Sequence, residues 1–487
     1  MCGILGIFSN NPVATEMYDG LIHLQHRGQD ATGICTYNKK FHLRKGGGYV
    51  RDVFSQADID VLLGNWGIGH TRYATIGNAR FSEEDAQPFI TYSPYGIVMA
   101  HNGDLTNYSE LKNELLDKNK RYCNSGCDVE IILNVFASKM QEICEKTNDI
   151  FDQICLSVDS VFDRCIGGYS VVAIVADRGM VAFRDPHGIR PLVWGTRENE
   201  NGKTDYIFSS ENTMYYPLGF KLKGDIAPGE VVFIGNDGTM TRRQLRCQMF
   251  TPDVFEYVYL ARPDSMLNNV SVYRARARMG QNLAKKWKEI HPNVTPDIVI
   301  PVPFSSNTSA LAMAHELGVR YSEGLYKNPF IGRTFIMQGQ KNRQKSILQK
   351  LSPQETDIRD KKVMLVDDSI VRGNTSKKVV DLVRNAGASQ VYFVSACPPV
   401  KYPDFYGIDI PTRSELIASS NNVEEIRKFI GADILLYQEI EGLVEAVTRR
   451  GEHKIHKLSM PYLDGWYVTG DIDEEKMREL EKEKKSC

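Results

Sequence analysis

The spacing of hydrophobic and polar positions changes along the chain and divides it near residue 250. Before that point, short alternating or apolar runs are separated by turn residues, which predicts a strand-rich region. The predicted strands are Gly3–Ser9, Gly33–Tyr37, Trp66–Tyr73, Gly96–His101, Tyr169–Ala176, Met180–Arg184 and Val231–Ile234. Helical spacing occurs at Thr15–Gln25 and Asp128–Thr147, and Asp237-Gly238 predicts a hairpin turn. We therefore expect an α+β domain of stacked antiparallel sheets between helices.

After about residue 256, strands and helices alternate. The predicted elements are strand Asp297–Val302, helix Ala310–Leu317, strand Lys362–Val366, helix Thr375–Ala386 and strand Val391–Ala396. This alternation predicts an α/β domain with a parallel sheet. We expect domains at 2–245 and 250–470, followed by a charged C-terminal helix or tail at 471–487.

Composition limits the class of protein. The 487 residues are 42% hydrophobic and 25% charged, which excludes a largely disordered or fibrous chain. The net charge of −2 provides no global field for nucleic acid or a membrane surface, so neither is expected as a partner. No apolar run approaches the roughly 20 residues that a membrane-spanning helix needs. Ten dispersed cysteines without a secretion signal predict free thiols and a cytoplasmic location.

Cys2 directly follows the initiator methionine. Removal of Met1 would leave a thiol and a free α-amine on one residue, and that amine titrates near neutral pH. A nucleophile and its base would then be combined, with no propeptide to remove. A cysteine at this position could equally be buried or acylated, so position alone does not decide its role.

Five short motifs favour a catalytic role for Cys2. They are Cys2–Phe8, His26–Asp30, His70–Thr75, Ala100–Gly103 and Arg184–Leu192. Their order resembles that in the class II glutamine amidotransferases, whose glutaminase domain is an N-terminal-nucleophile hydrolase. The resemblance implies that Cys2 is the nucleophile and that Asn102 and Gly103 stabilise the oxyanion. It further implies that Arg72 binds the glutamine α-carboxylate and Asp128 its α-ammonium group.

Some positions depart from this pattern or invite another interpretation. Cys127 stands where relatives usually have Ser or Thr, and Asp104 where they have Asn. Four histidines could pair with the nucleophile, but the α-amine already supplies a base, so we expect tertiary hydrogen bonds from them instead. These histidines are His26, His70, His101 and His187.

A second motif occupies Lys362–Ser376, where an apolar strand is followed by two carboxylates, a glycine turn and hydroxyls that open a helix. Ligands bind beyond the carboxyl ends of parallel strands, and helix N-termini bind phosphate. An acidic strand end before a capped helix is the alternative for the Asp-Asp pair alone. The whole motif resembles the phosphoribosyl-diphosphate (PRPP) loop of type I phosphoribosyltransferases.

This second resemblance implies a set of ligands. Asp367 and Asp368 would hold the ribose hydroxyls and Mg²⁺, with Ser305 as the hydroxyl near the metal. The loop that binds PRPP and its 5-phosphate would comprise Ser369, Arg372, Gly373, Asn374, Thr375 and Ser376. Asn374 replaces a Thr or Ser that is common at its position.

A basic segment without acidic residues, Lys327–Lys350, lies between Ser305 and this loop. It could be a nucleic-acid patch or a solvated loop. Next to a PRPP site, a lid that closes over the diphosphate and excludes water is the better interpretation. Lys327 and Arg333 are its candidate PRPP ligands, and Gly332–Ile336 matches the run in the family's mobile lid.

The two motif sets in this order resemble the amidophosphoribosyltransferases over nearly the whole chain. The implied reaction converts glutamine, PRPP and water to 5-phosphoribosylamine, diphosphate and glutamate, the first committed step of purine synthesis. Inhibition by AMP and GMP and a homotetramer are implied by the resemblance only. A different class II amidotransferase and a catalytically inactive nucleotide sensor remain alternatives.

We expect no iron–sulfur cluster, although one branch of this family carries a four-iron cluster. The chain contains no Cys-x-x-Cys, and after residue 250 it has only Cys397 and Cys487. Where the cluster-bearing branch has thiolate ligands, this chain places Asp253 or Val254, and Asp404. The chain is therefore similar to the branch without a cluster.

Overall fold

Two antiparallel sheets form the amino-terminal part of the protein. The structure is a computed structural model that describes residues 2–73, 83–200, 202–246, 248–328, 351–449 and 455–486. In spatial order, the first sheet comprises Lys221–Asp225, Val193–Glu198, Thr204–Ser209, Gly3–Phe8, Trp66–Arg72, Ala31–Tyr37 and Phe41–Gly47. The second comprises Met240–Gln244, Glu230–Gly235, Gly179–Arg184, Gly167–Val175, Ile97–Leu105 and Phe89–Thr91.

The two sheets stack face to face, and helices cover their outer faces. Ile4 and Ile68 of the first sheet pack with Val98 and Ile174 of the second in one buried cluster. The helices of this part are Ala14–His23, Val50–Val53, Gln56–Asp60, Tyr108–Asp117, Asp128–Ile143 and Ile150–Arg164, with a 3₁₀ turn at Glu83–Asp85. Each strand alternates its side chains, and the central strands, such as Gly3–Phe8 and Gly167–Val175, are buried on both faces.

The carboxy-terminal part contains a five-stranded parallel sheet. Its spatial order is Arg320–Tyr321, Ile298–Pro301, Lys362–Asp367, Gln390–Ser395 and Ile434–Tyr437. The helices are Val272–Ile290, Asn307–Leu317, Glu355–Ile358, Asn374–Asn385, Ile417–Ser420, Val423–Ile430, Ile440–Thr448, Pro461–Asp464 and Glu474–Ser486. A π-helix at Glu256–Leu260, a 3₁₀ turn at Arg413–Glu415 and the short hairpins Met266–Leu267/Val270–Ser271 and Leu325–Lys327/Leu351–Pro353 complete this part.

The predicted fold class is confirmed in both parts, and every predicted strand and helix is present within a few residues of its predicted ends. The Asp237-Gly238 turn joins Glu230–Gly235 to Met240–Gln244 as a hairpin. None of the helices in the described ranges combines the length and the hydropathy that crossing a bilayer requires.

The two parts share a hydrophobic core. Met17 and Leu21, on the first helix, belong to the same buried cluster as Tyr257 and Met279. The last helix joins the parts again, because Lys476 Nζ lies 2.8 Å from Glu110 while Glu481 accepts a hydrogen bond of 2.7 Å from Arg413 N. The domain limits 2–245, 250–470 and 471–487 remain predictions, since this core is continuous across them.

Candidate active sites

The end of the first strand places Cys2 beside Arg72. The antiparallel register pairs Gly3 with Thr71, so Cys2 and Arg72 are next to each other where the two strands end. Cys2 is half-buried, and its backbone N–H donates a hydrogen bond of 3.1 Å to Asn102 Oδ1. Asn102 belongs to the second sheet, so the stacking of the sheets unites two residues that are 100 positions apart.

Asn102 and Gly103 form a donor pair near this cysteine. Asn102 is fully buried, and its Nδ2 has no hydrogen-bond partner among the described residues. A Cβ at Gly103 would lie 2.1 Å from the carbonyl oxygen of Gly168, so only glycine fits the strand at this point. An unsatisfied buried amide donor costs free energy that an incoming oxyanion would recover.

The remaining predicted glutamine ligands face the same place. Arg72 is buried, its Nη2 lies 3.7 Å from Asp85 Oδ2, and its Nη1 has no hydrogen-bond partner in the described part of the chain. Asp128 opens helix Asp128–Ile143, and burial together with the Asp104 carboxylate raises its pKa well above the ordinary value. A cation and a carboxyl group thus flank Cys2 and Asn102, as an α-amino acid requires.

The histidines are not placed as general bases. Burial lowers the pKa of His70 and of His101 to about 3, so both rings are neutral at physiological pH. The expected tertiary hydrogen bonds are present for three of the four. They join His26 Nε2 to Glu211 at 2.8 Å, His101 Nδ1 to Gln87 at 3.1 Å, and His187 Nδ1 to Met249 O at 3.2 Å.

A buried arginine inside the motif His26–Asp30, to which the resemblance assigned no role, holds the main chain of Cys2. Arg27 is 1% exposed, and its Nε donates a hydrogen bond of 3.0 Å to the carbonyl oxygen of Cys2. Its guanidinium also pairs with Glu211 and, at 2.7 Å, with Glu256 Oε1. Glu256 begins the π-helix between the two parts, and Arg190 Nη2 contacts it at 2.5 Å. The main chain of Cys2 is therefore fixed by a charged network that reaches the second part.

The second site lies at the carboxyl end of strand Lys362–Asp367. Gly373 adopts a left-handed conformation (φ 74°), and a Cβ there would lie 2.7 Å from the Ile417 side chain. The glycine turn opens helix Asn374–Asn385, whose N-terminal N–H groups are suited to phosphate. Arg372 Nε forms an ion pair of 2.9 Å with Glu415, which a bound phosphate would have to displace or share.

Two adjacent carboxyl groups dominate the electrostatics of this site. Burial and the Asp368 carboxylate raise the pKa of Asp367 well above its ordinary value. Burial also raises the pKa of Asp368, although Ser305 Oγ and, at 2.6 Å, Ser369 Oγ donate hydrogen bonds to it. A cation would relieve this repulsion, because carboxylate and hydroxyl oxygens are the ligands Mg²⁺ prefers. Within the described ranges, no three His, Cys, Asp or Glu residues converge as a closed metal site, so such an ion would share its ligands with substrate and water.

A cavity of about 620 Å³ contains the second site and extends towards the first. Its lining includes His26, Arg27 and Tyr73 from the first part and the segment 367–369 and loop 371–376 from the second. Tyr259 and Leu260 of the π-helix also line this cavity. The cavity therefore runs from the neighbourhood of Cys2 to the strand-end carboxylates.

Arg276 is a second lining residue that the motifs did not indicate. It is 2% exposed, and its guanidinium donates hydrogen bonds to the carbonyl oxygens of Tyr257 (2.9 Å) and Ala261 (2.8 Å). Burial lowers its pKa to about 10, while the nearby Asp368 carboxylate opposes that effect. Spacing gave no signal for this residue, because an arginine at a helical position is usually exposed.

The predicted lid falls only partly within the described residues. Lys327 lines the cavity, with its Nζ 5.3 Å from the centre of the Phe304 ring. Arg333 and Gly332–Ile336 lie outside the described residues. Their role stays a prediction.

Asp253 and Asp404, which stand where the cluster-bearing branch is expected to have thiolate ligands, lie together in the core. Asp253 and Asp404 are both fully buried, and their carboxyl groups interact. Burial raises the pKa of Asp253 to about 8, and its carboxyl group accepts a hydrogen bond of 3.0 Å from the Tyr462 hydroxyl and contacts Arg190 at 3.3 Å. Hard oxygen groups already engaged in this way do not fit the soft thiolate set of an iron–sulfur cluster.

Comparisons with known proteins agree with this arrangement. A family model of the glutamine amidotransferase domain matches residues 70–215, and one of the phosphoribosyl transferase domain matches residues 270–403. Amidophosphoribosyltransferase of Pseudomonas aeruginosa is 48% identical over 483 residues, which cover 99% of this chain and 95% of that protein. The Escherichia coli enzyme of the same name is 46% identical over 484 residues, covering 97% and 94%.

A solved structure matches over the same length. Glutamine PRPP amidotransferase from B. subtilis, complexed with ADP and GMP, has a TM-score of 0.84 and 32% identity, covering 97% of this chain and 98% of that one. Identity of this extent across both parts excludes an amidotransferase that lacks the PRPP-binding half. The chain belongs to the amidophosphoribosyltransferase family, whose activity is the glutamine-dependent amination of PRPP in purine biosynthesis.

Proposed function

We propose that Cys2 and the Asp367–Ser376 segment carry the two half-reactions of this activity in this chain. The observation that supports the proposal is the cavity of about 620 Å³, which is lined by Asp367 and Asp368 at one end and by Arg27, the residue that holds the Cys2 carbonyl, at the other. Ammonia that escaped to water would become unreactive ammonium, so the two chemistries need a sheltered connection. The π-helix residues Tyr259 and Leu260 form part of that connection.

In the first half-reaction, the α-amine exposed by removal of Met1 accepts the thiol proton of Cys2. The thiolate attacks the glutamine side-chain carbonyl, and Asn102 Nδ2 and the Gly103 N–H stabilise the oxyanion. Ammonia leaves with a proton from the same amine, and water then hydrolyses the thioester to glutamate. Arg27 contributes by holding the Cys2 carbonyl and hence the direction of the thiol.

In the second half-reaction, Asp367 and Asp368 hold the ribose hydroxyls, and the 5-phosphate binds at the start of helix Asn374–Asn385. Mg²⁺, when bound with PRPP, would neutralise charge on the departing diphosphate. Ammonia from the cavity attacks C1 as the diphosphate leaves. Lys327 at the cavity wall would contribute positive charge to that end of the substrate.

Purified protein is expected to release diphosphate from PRPP only when glutamine or ammonium is present. The direct test is to measure diphosphate and glutamate together, with PRPP omitted or supplied. Equal amounts of the two products would support the proposal. A nucleotide-sensing protein without activity would release neither product, and an amidotransferase for another acceptor would release glutamate alone.

Regulation and assembly extend the proposal. The B. subtilis relative was solved with ADP and GMP, and we infer that purine nucleotides bind this chain as inhibitors. A homotetramer is part of the same proposal. All eight cysteines within the described ranges are free, which supports a reducing, cytoplasmic location.

Aerobically purified protein is expected to be colourless and active without iron. The physical reason is the donor set, since Asp253 and Asp404 supply carboxyl oxygens where a cluster would need thiolates. Iron and acid-labile sulfide assays, with an absorbance spectrum from 300 to about 500 nm, provide the measurement. Stoichiometric iron and sulfide in active protein would contradict this expectation.

A further inference from the structure

Two carboxyl groups converge beside Asn102 and Gly103. The backbone N–H of Leu105 donates to both, at 3.0 Å to Asp104 Oδ1 and 2.8 Å to Asp128 Oδ2. The two carboxyl groups therefore lie side by side around one N–H group. Burial and the Asp104 carboxylate raise the pKa of Asp128 well above its ordinary value, and in the absence of a substrate cation a proton between the two groups relieves their repulsion.

The surroundings of the pair keep this proton in place. Burial and Asp104 raise the pKa of Asp128, and the thiol of Cys2 acts in the same direction. The titratable groups that act with Asp128 from the neighbouring elements are Asp104, Tyr108 and the thiols of Cys2, Cys127 and Cys165. Arg72 and Arg164 are the cations nearby, and they lower the pKa of the neighbouring thiols of Cys127 and Cys165 respectively. Among the described residues, the strongest influences on Asp128 therefore favour its protonated form.

Independent observations show that a ligand belongs at this place. Asn102 Nδ2 and Arg72 Nη1 are buried polar atoms without hydrogen-bond partners among the described residues. They supply one donor for a carbonyl oxygen and one for a carboxylate. A ligand that satisfies both and also carries an ammonium group towards Asp128 is an α-amino acid with a side-chain carbonyl.

We propose that Asp104 is a specificity-determining residue that completes a two-carboxylate pocket for the α-ammonium group of the substrate. The ammonium group takes the place of the shared proton, so each glutamine that binds below the titration range of the pair releases one proton. This inference rests on the proposed function of Cys2 and Asp128. It adds Asp104 as a residue of the glutamine site and the release of a proton as a consequence of glutamine binding.

The proposal has a thermodynamic signature. Where the free pair holds a proton, glutamine must displace it, so the Kd for glutamine rises about tenfold for each unit that the pH falls. In Asp104→Asn the single remaining carboxylate has lost its like-charged neighbour, so its pKa falls and the pH dependence moves to lower pH. At alkaline pH the native pocket has the greater negative charge and binds more tightly. The two profiles should therefore cross.

The experiment uses full-length Cys2→Ala protein, which binds glutamine without turnover, with and without Asp104→Asn. Calorimetric titration in buffers of different ionisation enthalpy measures protons released per glutamine. We expect close to one proton at low pH when Asp104 is present, and clearly less at the same pH in the Asp104→Asn variant, where only burial still raises the pKa of Asp128. Asp104→Glu, which keeps both carboxyl groups, should restore the release. Glutaramic acid, which lacks the ammonium group, should bind without releasing a proton.

The same Asp104 substitutions are also made with Cys2 intact. In these variants the KM for glutamine hydrolysis is measured as a function of pH, and the ammonium-dependent activity is measured as a control for correct folding. Identical proton release with and without Asp104, or parallel pH profiles, would overturn the proposal and assign Asp104 a purely structural role. A failure of the proposed function would look different. In that case the unmodified protein would show no glutamine-dependent diphosphate release.

Discussion

Replacing Cys2 by alanine is expected to reduce glutamine-dependent diphosphate release by about 10³-fold or more, since no other group can form the thioester. Activity with added ammonium salts should remain, because ammonia reaches the second site through the cavity without the first half-reaction. The measurement is the initial rate of diphosphate release with glutamine or ammonium chloride at fixed PRPP.

Cys144→Ala is the matched control for this substitution. Cys144 is also a half-buried free cysteine, but it lies at the C-terminal end of helix Asp128–Ile143, the end opposite Asp128. It should leave both activities unchanged. If folded Cys2→Ala protein lost both activities, the division of labour between the sites would be wrong, and full activity with glutamine would exclude Cys2 as the nucleophile.

Converting Asp367 and Asp368 together to asparagine should have the second large effect, a loss of roughly 10²-fold or more in diphosphate release with either nitrogen source. The substitution removes the charge that orients the ribose hydroxyls and the cation. Glutamine hydrolysis measured alone should persist, because Cys2, Asn102 and Arg72 are untouched. Glutamate formation and diphosphate release, measured in parallel, test this.

The same double variant should not be less stable. The pKa values of both carboxyl groups are raised in the folded protein, so the folded state binds protons more readily than the unfolded chain and loses stability as the pH rises through that range. Asparagine removes that penalty, and the thermal midpoint at pH 8 should therefore be equal or higher. Asp381→Asn, on the exposed face of helix Asn374–Asn385, is the control and should change neither rate. A double variant that kept its PRPP chemistry would contradict the assignment.

The apolar runs identified the buried strands well. Gly3–Phe8 and Lys362–Asp367 lie near the middle of their sheets, where both faces are covered and a continuous apolar run is required. Strands such as Phe41–Gly47 and Lys221–Asp225 were missed, since they lie at sheet edges with polar, partly exposed side chains. Helix Val272–Ile290 was missed too, because its many Lys and Arg residues obscure the apolar stripe.

Motif order identified the chemistry but not the supporting contacts. The residues of the PRPP loop are consecutive, so one strand, one turn and one helix position most of them without help from the rest of the chain. Cys2, Arg72, Asn102 and Asp128 come from separate elements, and only the pairing of Gly3 with Thr71 and the stacking of two sheets brings them together. Their grouping was predicted by resemblance, and their distances were not predictable.

The amino-acid sequence alone therefore determined the two-part architecture, because local patterns of apolar and polar residues encode it, and the resemblance of its motifs predicted the nucleophile and the phosphate loop. Tertiary structure decided what joins them. Burial turned Arg27, Glu256 and Arg276 from ordinary charged residues into fixed partners of the two sites. It also placed Asp104 against Asp128 across a shared N–H. Pairing and desolvation depend on neighbours that are remote in the chain, and no local pattern records which side chain a buried charge will meet.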